Sequence, residues 1–126
     1  MAEFENDRIP TTKRHFELFK KECKKWQKAF GIFYWEFYFD HRDDLGDSES
    51  AVLYAVDGKQ ATFILSKTIT FPVTDALVKR AAFHEVMELL LGPLSHLSES
   101  RFDVTQERLD QERHAVIRVW ENFIFK

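Results

Sequence analysis

The segment that most constrains the fold is residues 81–91, Ala-Ala-Phe-His-Glu-Val-Met-Glu-Leu-Leu-Leu. All of its residues are apolar except His84, Glu85 and Glu88. A helix that is apolar nearly all round is normally buried, so this segment predicts a central helix with the rest of the fold packed around it. Burying two carboxylates and an imidazole is costly unless they are paired or bind a metal ion, and this cost singles out the three polar side chains.

Short-range signals predict the limits of this central helix. Thr74 or Asp75 can cap its start. Gly92 and Pro93 are expected to end it at Leu91, because glycine favours the C-terminal cap and proline has no amide donor.

The middle of the chain predicts a small sheet. Asp57-Gly58 lies between two apolar runs, residues 51–56 and 60–67, and this dipeptide favours a tight hairpin turn with both residues at positive φ. Residues 32–39 are dense in aromatic side chains and form a further strand, with Phe33, Trp35, Phe37 and Phe39 on its core side. The sheet is therefore expected to be three-stranded and at least partly antiparallel.

An amphipathic helix is predicted before the sheet, with a cap at Thr11 or Thr12 and an end at Gly31. His15, beside its apolar stripe, is expected to be exposed. The stripe itself consists of Phe16, Phe19, Cys23, Trp26 and Phe30. Lysines cover the opposite face, which we interpret as solvated. The predicted class is α+β, with an N-terminal helix, a three-stranded sheet, an active-site helix and a C-terminal helix.

Length and charge limit the classes of protein that this chain can represent. Its 126 residues suit a single domain, residues 1–126, of which residues 1–10 read as a loose leader. The net charge of -3 gives no attraction to nucleic acid or to anionic membranes, and no apolar run approaches the roughly 20 residues that span a bilayer. A single cysteine, Cys23, and an N-terminus without an apolar core favour a cytoplasmic protein.

The polar side chains of the central helix have the spacing of a metal site. His84 and Glu88 are four residues apart and share a helix face, with Glu85 beside them. Two ligands at i and i+4 with a carboxylate at i+1 are typical of zinc hydrolases, in which that carboxylate takes a proton from the water that the metal activates. A simple surface ion pair between His84 and Glu88 has the same spacing. The histidines that lack such a pattern are His15, His41 and His96.

The last helix, predicted from a cap at Asp103 or Thr105 to about Ile124, offers a third metal ligand. Packing favours Glu112, which lies at the edge of the inward stripe. Ligand chemistry favours His114, because one imidazole with two carboxylates is a poor set for zinc. The inward stripe consists of Leu109, Val116, Trp120 and Phe123. The residues alone leave this choice open.

Residues 81–91, followed by residues 112–118, resemble a family of small phage-encoded, zincin-like metallopeptidases. Residues 35–37 and 61–65 are similar to earlier segments of that family, so the likeness covers most of the chain from about Phe33 onward. The resemblance implies a minimal zincin, made of a small sheet, an active-site helix and a closing helix. Many relatives carry histidine in place of Glu88, and the resemblance implies that a histidine on the closing helix, His114 here, completes the set.

We therefore predict a zinc-dependent metallohydrolase of peptidase type. His84, Glu88 and His114 would hold Zn²⁺, Glu85 would be the catalytic base, and the strand of residues 61–67 would be the edge on which a peptide lies. A phage gene would place the protein in the host cytoplasm. The alternative is a non-catalytic protein on the same scaffold, which binds or inhibits a host protein. A third possibility is that His84 and Glu88 are only a structural pair.

Overall fold

The computed structural model describes residues 8–99 and 105–125 and has the predicted α+β class. Two predictions concern residues that the structure does not describe. Residues 1–7 of the predicted leader, and Asp103 as a cap of the last helix, lie outside the described residues. The elements in chain order are β1 (Ile9–Pro10), α1 (Lys13–Phe30), β2 (Glu36–Arg42), β3 (Ser50–Ala55), β4 (Gln60–Ser66), β5 (Thr68–Ile69), α2 (Asp75–Glu99) and α3 (Gln106–Ile124).

Helix α1 begins and ends where the sequence predicts. Thr12 is its N-cap and accepts a hydrogen bond from the backbone N–H of His15, and Gly31 closes the helix with a φ of 70°. The prediction that His15 is exposed is wrong. Its ring Nδ1 accepts the backbone N–H of Thr12 at 2.9 Å, so the imidazole folds back over the helix start and is buried.

The sheet is mixed, with β4 at its centre. Strand β2 pairs with β4 in parallel, and β3 pairs with β4 antiparallel, from Ser50 opposite Leu65 to Ala55 opposite Gln60. The three-stranded, partly antiparallel sheet is confirmed. Because β4 has a partner on both sides, the prediction that it offers a free edge to a peptide is wrong, and the edge strands of this sheet are β2 and β3.

Strand β2 starts later than predicted, at Glu36. The preceding residues form a connection that buries Ile32 and Trp35 but exposes Phe33, so Phe33 does not share the core side of the strand as predicted. The turn between β3 and β4 also differs in detail. It spans residues 56–59, and Lys59 has the positive φ, 53°, whereas Asp57 and Gly58 do not.

Helix α2 starts at its predicted cap, since the Thr74 hydroxyl accepts the N–H of Leu77 at 3.1 Å. Its predicted end is wrong, because the helix continues through Gly92 and Pro93 to Glu99. Both residues are buried, and a Cβ on Gly92 would overlap the ring of Tyr54 in β3. Tertiary packing therefore outweighs the local tendency of Gly-Pro to stop a helix.

The core lies between helices α1 and α2 and one face of β4. Ala82, Val86 and Leu89 on α2 are fully buried and belong to one cluster with Phe19 of α1 and Phe63 of β4. The N-terminal part of the chain is also anchored, because β1 pairs with β5 within the segment predicted to be loose. Among the residues that the structure describes, no helix is long and apolar enough to cross a membrane.

Candidate functional site

Helix α2 places its three polar residues on different faces. The buried face packs on α1 and the sheet, and His84 and Glu88 lie on the opposite face with 66% and 60% of their side chains exposed. Only Glu85 is buried, at 6% exposure. The prediction that all three are buried is therefore wrong for His84 and Glu88, and the cost of burial applies to Glu85 alone.

Glu85 is held by one specific hydrogen bond. The hydroxyl of Ser50, the first residue of β3, donates to Glu85 Oε2 at 2.6 Å, and both residues are buried. Burial raises the pKa of Glu85. The Ser50 hydrogen bond and the charge of His84 act in the opposite direction. The result is a carboxyl group fixed in place at the junction of the edge strand and the helix.

An open cleft lies over this junction. It has a volume of about 600 Å³ and runs between the loop before β3 and the exposed side of α2. His84 and Glu85 both line it, so the candidate ligand and the candidate base share one solvent space. The other lining residues are Asp47, Ser48, Glu49, Ser50, Phe71, Leu77, Arg80 and Ala81.

The spacing of His84 and Glu88 suits two ligands of one zinc ion. Their closest atoms, Nε2 of His84 and Oε1 of Glu88, are 3.5 Å apart. Two ligands of a tetrahedral zinc ion, each bonded at about 2.0–2.2 Å, lie roughly 3.4 Å apart. An ordinary exposed ion pair also has this separation, so the distance is compatible with both interpretations.

The predicted third metal ligand, His114, does not lie in the cleft of His84 and Glu85. His114 on α3 is exposed and lines a different cleft, together with Glu107, Asp110, Gln111 and Arg118. Glu112 is half-buried and lies near Tyr34, whose pKa is raised by burial and by the charge of Glu112. Within residues 8–99 and 105–125, no three His, Cys, Asp or Glu side chains are grouped so that they could hold a metal ion. The donor set therefore fits zinc for two ligands and does not fit a closed three-ligand site.

His114 nevertheless makes a hydrogen bond that is common among metal-binding histidines. Its Nδ1 lies 2.6 Å from the backbone carbonyl oxygen of Asp110. Because a carbonyl oxygen only accepts, Nδ1 is the donor in this contact, and in the neutral imidazole Nε2 is then the nitrogen with the lone pair. Metal-binding histidines commonly donate their second ring N–H to a carbonyl in this way.

The other histidines have structural roles or lie elsewhere. His41 is in β2 rather than in a loop, stacks on Phe16 with ring centroids 5.0 Å apart, and has its Nε2 2.7 Å from the Thr11 hydroxyl. His96 lines a separate cleft beside Tyr54.

Two residues of the site were not predicted from the sequence. The contact between Ser50 and Glu85 joins residues that are 35 positions apart, and no spacing signal connects them. Arg80 does have a signal, because residues 80, 84 and 88 form one stripe at intervals of four along the helix.

Comparison of the chain with protein-family models, with curated proteins and with solved structures gave no match. The likeness to phage-encoded, zincin-like metallopeptidases stays a prediction.

Proposed function

We propose that the protein is a zinc-dependent hydrolase that acts on peptides, with His84, Glu88 and His114 as metal ligands and Glu85 as the base. One observation carries the proposal. A histidine and a carboxylate at the separation of two zinc ligands stand beside a buried, fixed glutamate at the head of one cleft. The proposal requires His114 to approach α2, since it lines another cleft.

Glu85 has two properties that suit a general base. Burial raises its pKa, which brings the carboxyl group closer to the range in which a base both accepts and releases a proton near neutral pH. Ser50 occupies Oε2, so Oε1 is the oxygen that is left to take a proton from a reactant in the cleft. Zinc, when bound, supplies a Lewis acid that polarises the reacting carbonyl group.

Strand β3 is the element on which an extended peptide would lie. It forms one side of the sheet and has no further strand beside it among the described residues, and its first residue, Ser50, lines the cleft. A peptide paired with β3 through main-chain hydrogen bonds would therefore run toward Glu85.

The experiment that tests the metal site is zinc titration of the purified chain by calorimetry. We expect about one equivalent of zinc per chain, and loss of binding in His84→Ala, because the imidazole is the strongest donor of the set. His114→Ala and Glu112→Ala, compared directly, show which residue supplies the third ligand. Lys79→Ala, an exposed change on the same helix, is the matched control. A chain that cannot be loaded with zinc contradicts the proposal.

Catalysis needs a separate test. Glu85→Gln keeps the size of the side chain and can still accept the Ser50 hydroxyl, but it removes the base. We expect this variant to bind zinc as the wild type does and to lose hydrolysis of a peptide library, monitored by mass spectrometry.

The second candidate is a non-catalytic protein that binds a host factor. The observation that favours it is that His84 and His114 line different clefts. Such binding could use the acidic side chains of residues 36–49, in β2 and the loop that follows it. This charge is partly neutralised, because Arg42 pairs with Asp40 and Asp44 at 3.4 and 2.9 Å. If Glu85→Gln leaves the biological effect of the protein intact, this candidate replaces the hydrolase.

We also propose a cellular location for the protein. A peptidase with one buried thiol, Cys23, is suited to a reducing cytoplasm, which is the host cytoplasm for a phage-encoded protein. Fractionation of cells that produce the protein, with detection by antibody, is the direct test.

A further inference from the structure

Arg80 is a positive charge in the cleft that has no partner among the described residues. It is exposed on α2 one turn before His84, and it makes no hydrogen bond or ion pair within the part of the chain that the structure describes. Four other arginines each contact an aspartate, namely Arg8, Arg14, Arg42 and Arg113, whereas Arg118 on α3, like Arg80, forms no ion pair with a described residue.

None of the three acidic residues that line the same cleft, Asp47, Glu49 and Glu85, forms an ion pair with Arg80. Glu85 is buried and its Oε2 accepts the Ser50 hydroxyl. The side chain of Asp47 is fully exposed, and its nearest cation is Arg8, at 3.9 Å. Glu49 also lines the cleft but forms no ion pair with Arg80. The guanidinium group is therefore free to bind an anion from outside.

The surroundings of Arg80 are apolar on one side. Phe71, Leu77 and Ala81 line the cleft with it, and Phe71 has 55% of its surface exposed although it is a large aromatic residue. A cation that shares a cleft with an exposed aromatic ring suits a ligand that joins a carboxylate to an apolar group.

We propose that Arg80 binds a carboxylate of the peptide substrate, while an apolar side chain next to that carboxylate packs against Phe71 and Leu77. The carboxylate is either the free C-terminus of the peptide or the side chain of Asp or Glu. This inference rests on the proposed function in one respect, namely that the cleft receives a peptide. Its substrate class is peptides with a carboxylate and an apolar residue close to the cleaved bond.

Arg80 and His84 are four residues apart on α2, which fixes the distance between the bound carboxylate and the candidate metal ligand. Residues four apart on a helix have Cβ atoms about 5–6 Å from each other, so Arg80 would hold the carboxylate one helical turn from His84. The planar guanidinium group can bind both oxygens of a carboxylate at once, which a lysine cannot do.

The test is an NMR titration of the ¹⁵N-labelled full-length chain with three dipeptides, in the presence of EDTA so that no metal contributes. The ligands are acetyl-Ala-Phe with a free carboxylate, the same dipeptide with an amidated C-terminus, and amidated acetyl-Asp-Phe. We expect one or both of the carboxylate-bearing ligands to bind about tenfold more tightly than amidated acetyl-Ala-Phe. The ligand that does so identifies the C-terminus or the acidic side chain as the source.

Variants connect this preference to Arg80. In Arg80→Gln the preference for a carboxylate should disappear, and in Arg80→Lys it should return only in part. Lys79→Gln removes an exposed charge from the neighbouring position, outside the cleft lining, and should keep the full preference. Equal binding of all three ligands, no binding at millimolar concentrations, or a preference that survives in Arg80→Gln overturns the inference.

The two proposals fail in different ways. A chain that prefers carboxylates through Arg80 but takes up no zinc contradicts the hydrolase and leaves this inference standing. A chain that takes up zinc and cleaves peptides regardless of carboxylates overturns this inference alone.

Discussion

Replacing Gly92 by alanine should change the free energy of unfolding through two effects of opposite sign. Alanine is more favourable than glycine inside a helix by about 1 kcal/mol. The added Cβ, however, would overlap the hydroxyl and ring of Tyr54, and overpacking of this kind costs about 1–3 kcal/mol. Tyr54 is exposed enough to swing away, but it would then lose its edge contact with Trp35, whose ring centroid is 6.0 Å distant. We expect a net loss of about 1 kcal/mol.

The assay is urea unfolding of Gly92→Ala, Tyr54→Ala and the double variant, followed by tryptophan fluorescence. In the Tyr54→Ala background the overlap is gone, so Gly92→Ala should become stabilising by about 0.5–1 kcal/mol. Gly58→Ala is the control, since its Cβ would meet no atom within 4 Å. If Gly92→Ala raises the stability of the chain that retains Tyr54, the packing of Gly92 against β3 is refuted. If Gly92→Ala destabilises the Tyr54→Ala chain, position 92 is not inside a helix and the continuation of α2 past Leu91 is refuted.

Four further variants or probes test other parts of the structure. Phe19→Ala removes a fully buried ring and should lower the free energy of unfolding by about 3–5 kcal/mol in the same urea assay. Thr12→Ala removes the α1 cap and should cost about 1 kcal/mol; an unchanged midpoint would contradict the capping role. Burial raises the pKa of the Cys23 thiol, so it should resist a disulfide reagent in the folded chain and react on unfolding. The pKa of Glu85 is raised by burial, so the folded chain holds this proton more tightly than the unfolded chain. Its contribution to stability is therefore present at low pH and lost as pH rises through the raised pKa, and Glu85→Gln should flatten that decline.

Local signals explain which elements the sequence predicts well. Helix α1 has its cap, its stripe and its glycine end within neighbouring residues, and all three are confirmed. The hairpin of β3 and β4 is also local. The parallel pairing of β2 with β4 is not, because nothing within residues 36–42 specifies a partner beyond the next strand. Gly92-Pro93 fails as a stop signal for a related reason, since the ring that packs on Gly92 belongs to β3.

In the candidate site, too, the features that depend on local sequence are predicted well and those that depend on long-range contacts are not. The spacing of His84 and Glu88 follows from helix periodicity, and their atoms do meet on one face. Which of the polar residues is buried depends on how α2 is rotated against α1 and the sheet. The nearly all-apolar composition of the helix led to the prediction that all three are buried. The partner of Glu85 and the position of His114 depend on contacts between distant elements, which a single sequence does not encode in its local pattern.

The order of the strands also has a consequence for folding. Among the described residues, β2 pairs only with β4, which it precedes in the chain, and β3 lies between them in sequence. The hairpin of β3 and β4 closes a short loop and can form early, whereas β2 must wait and then join across a longer loop. During synthesis, α1 and β2 are therefore complete before any strand exists for β2 to pair with, so folding of the sheet starts from its C-terminal half. Substitutions in the turn at residues 56–59 should consequently slow folding more than equally destabilising substitutions in β2.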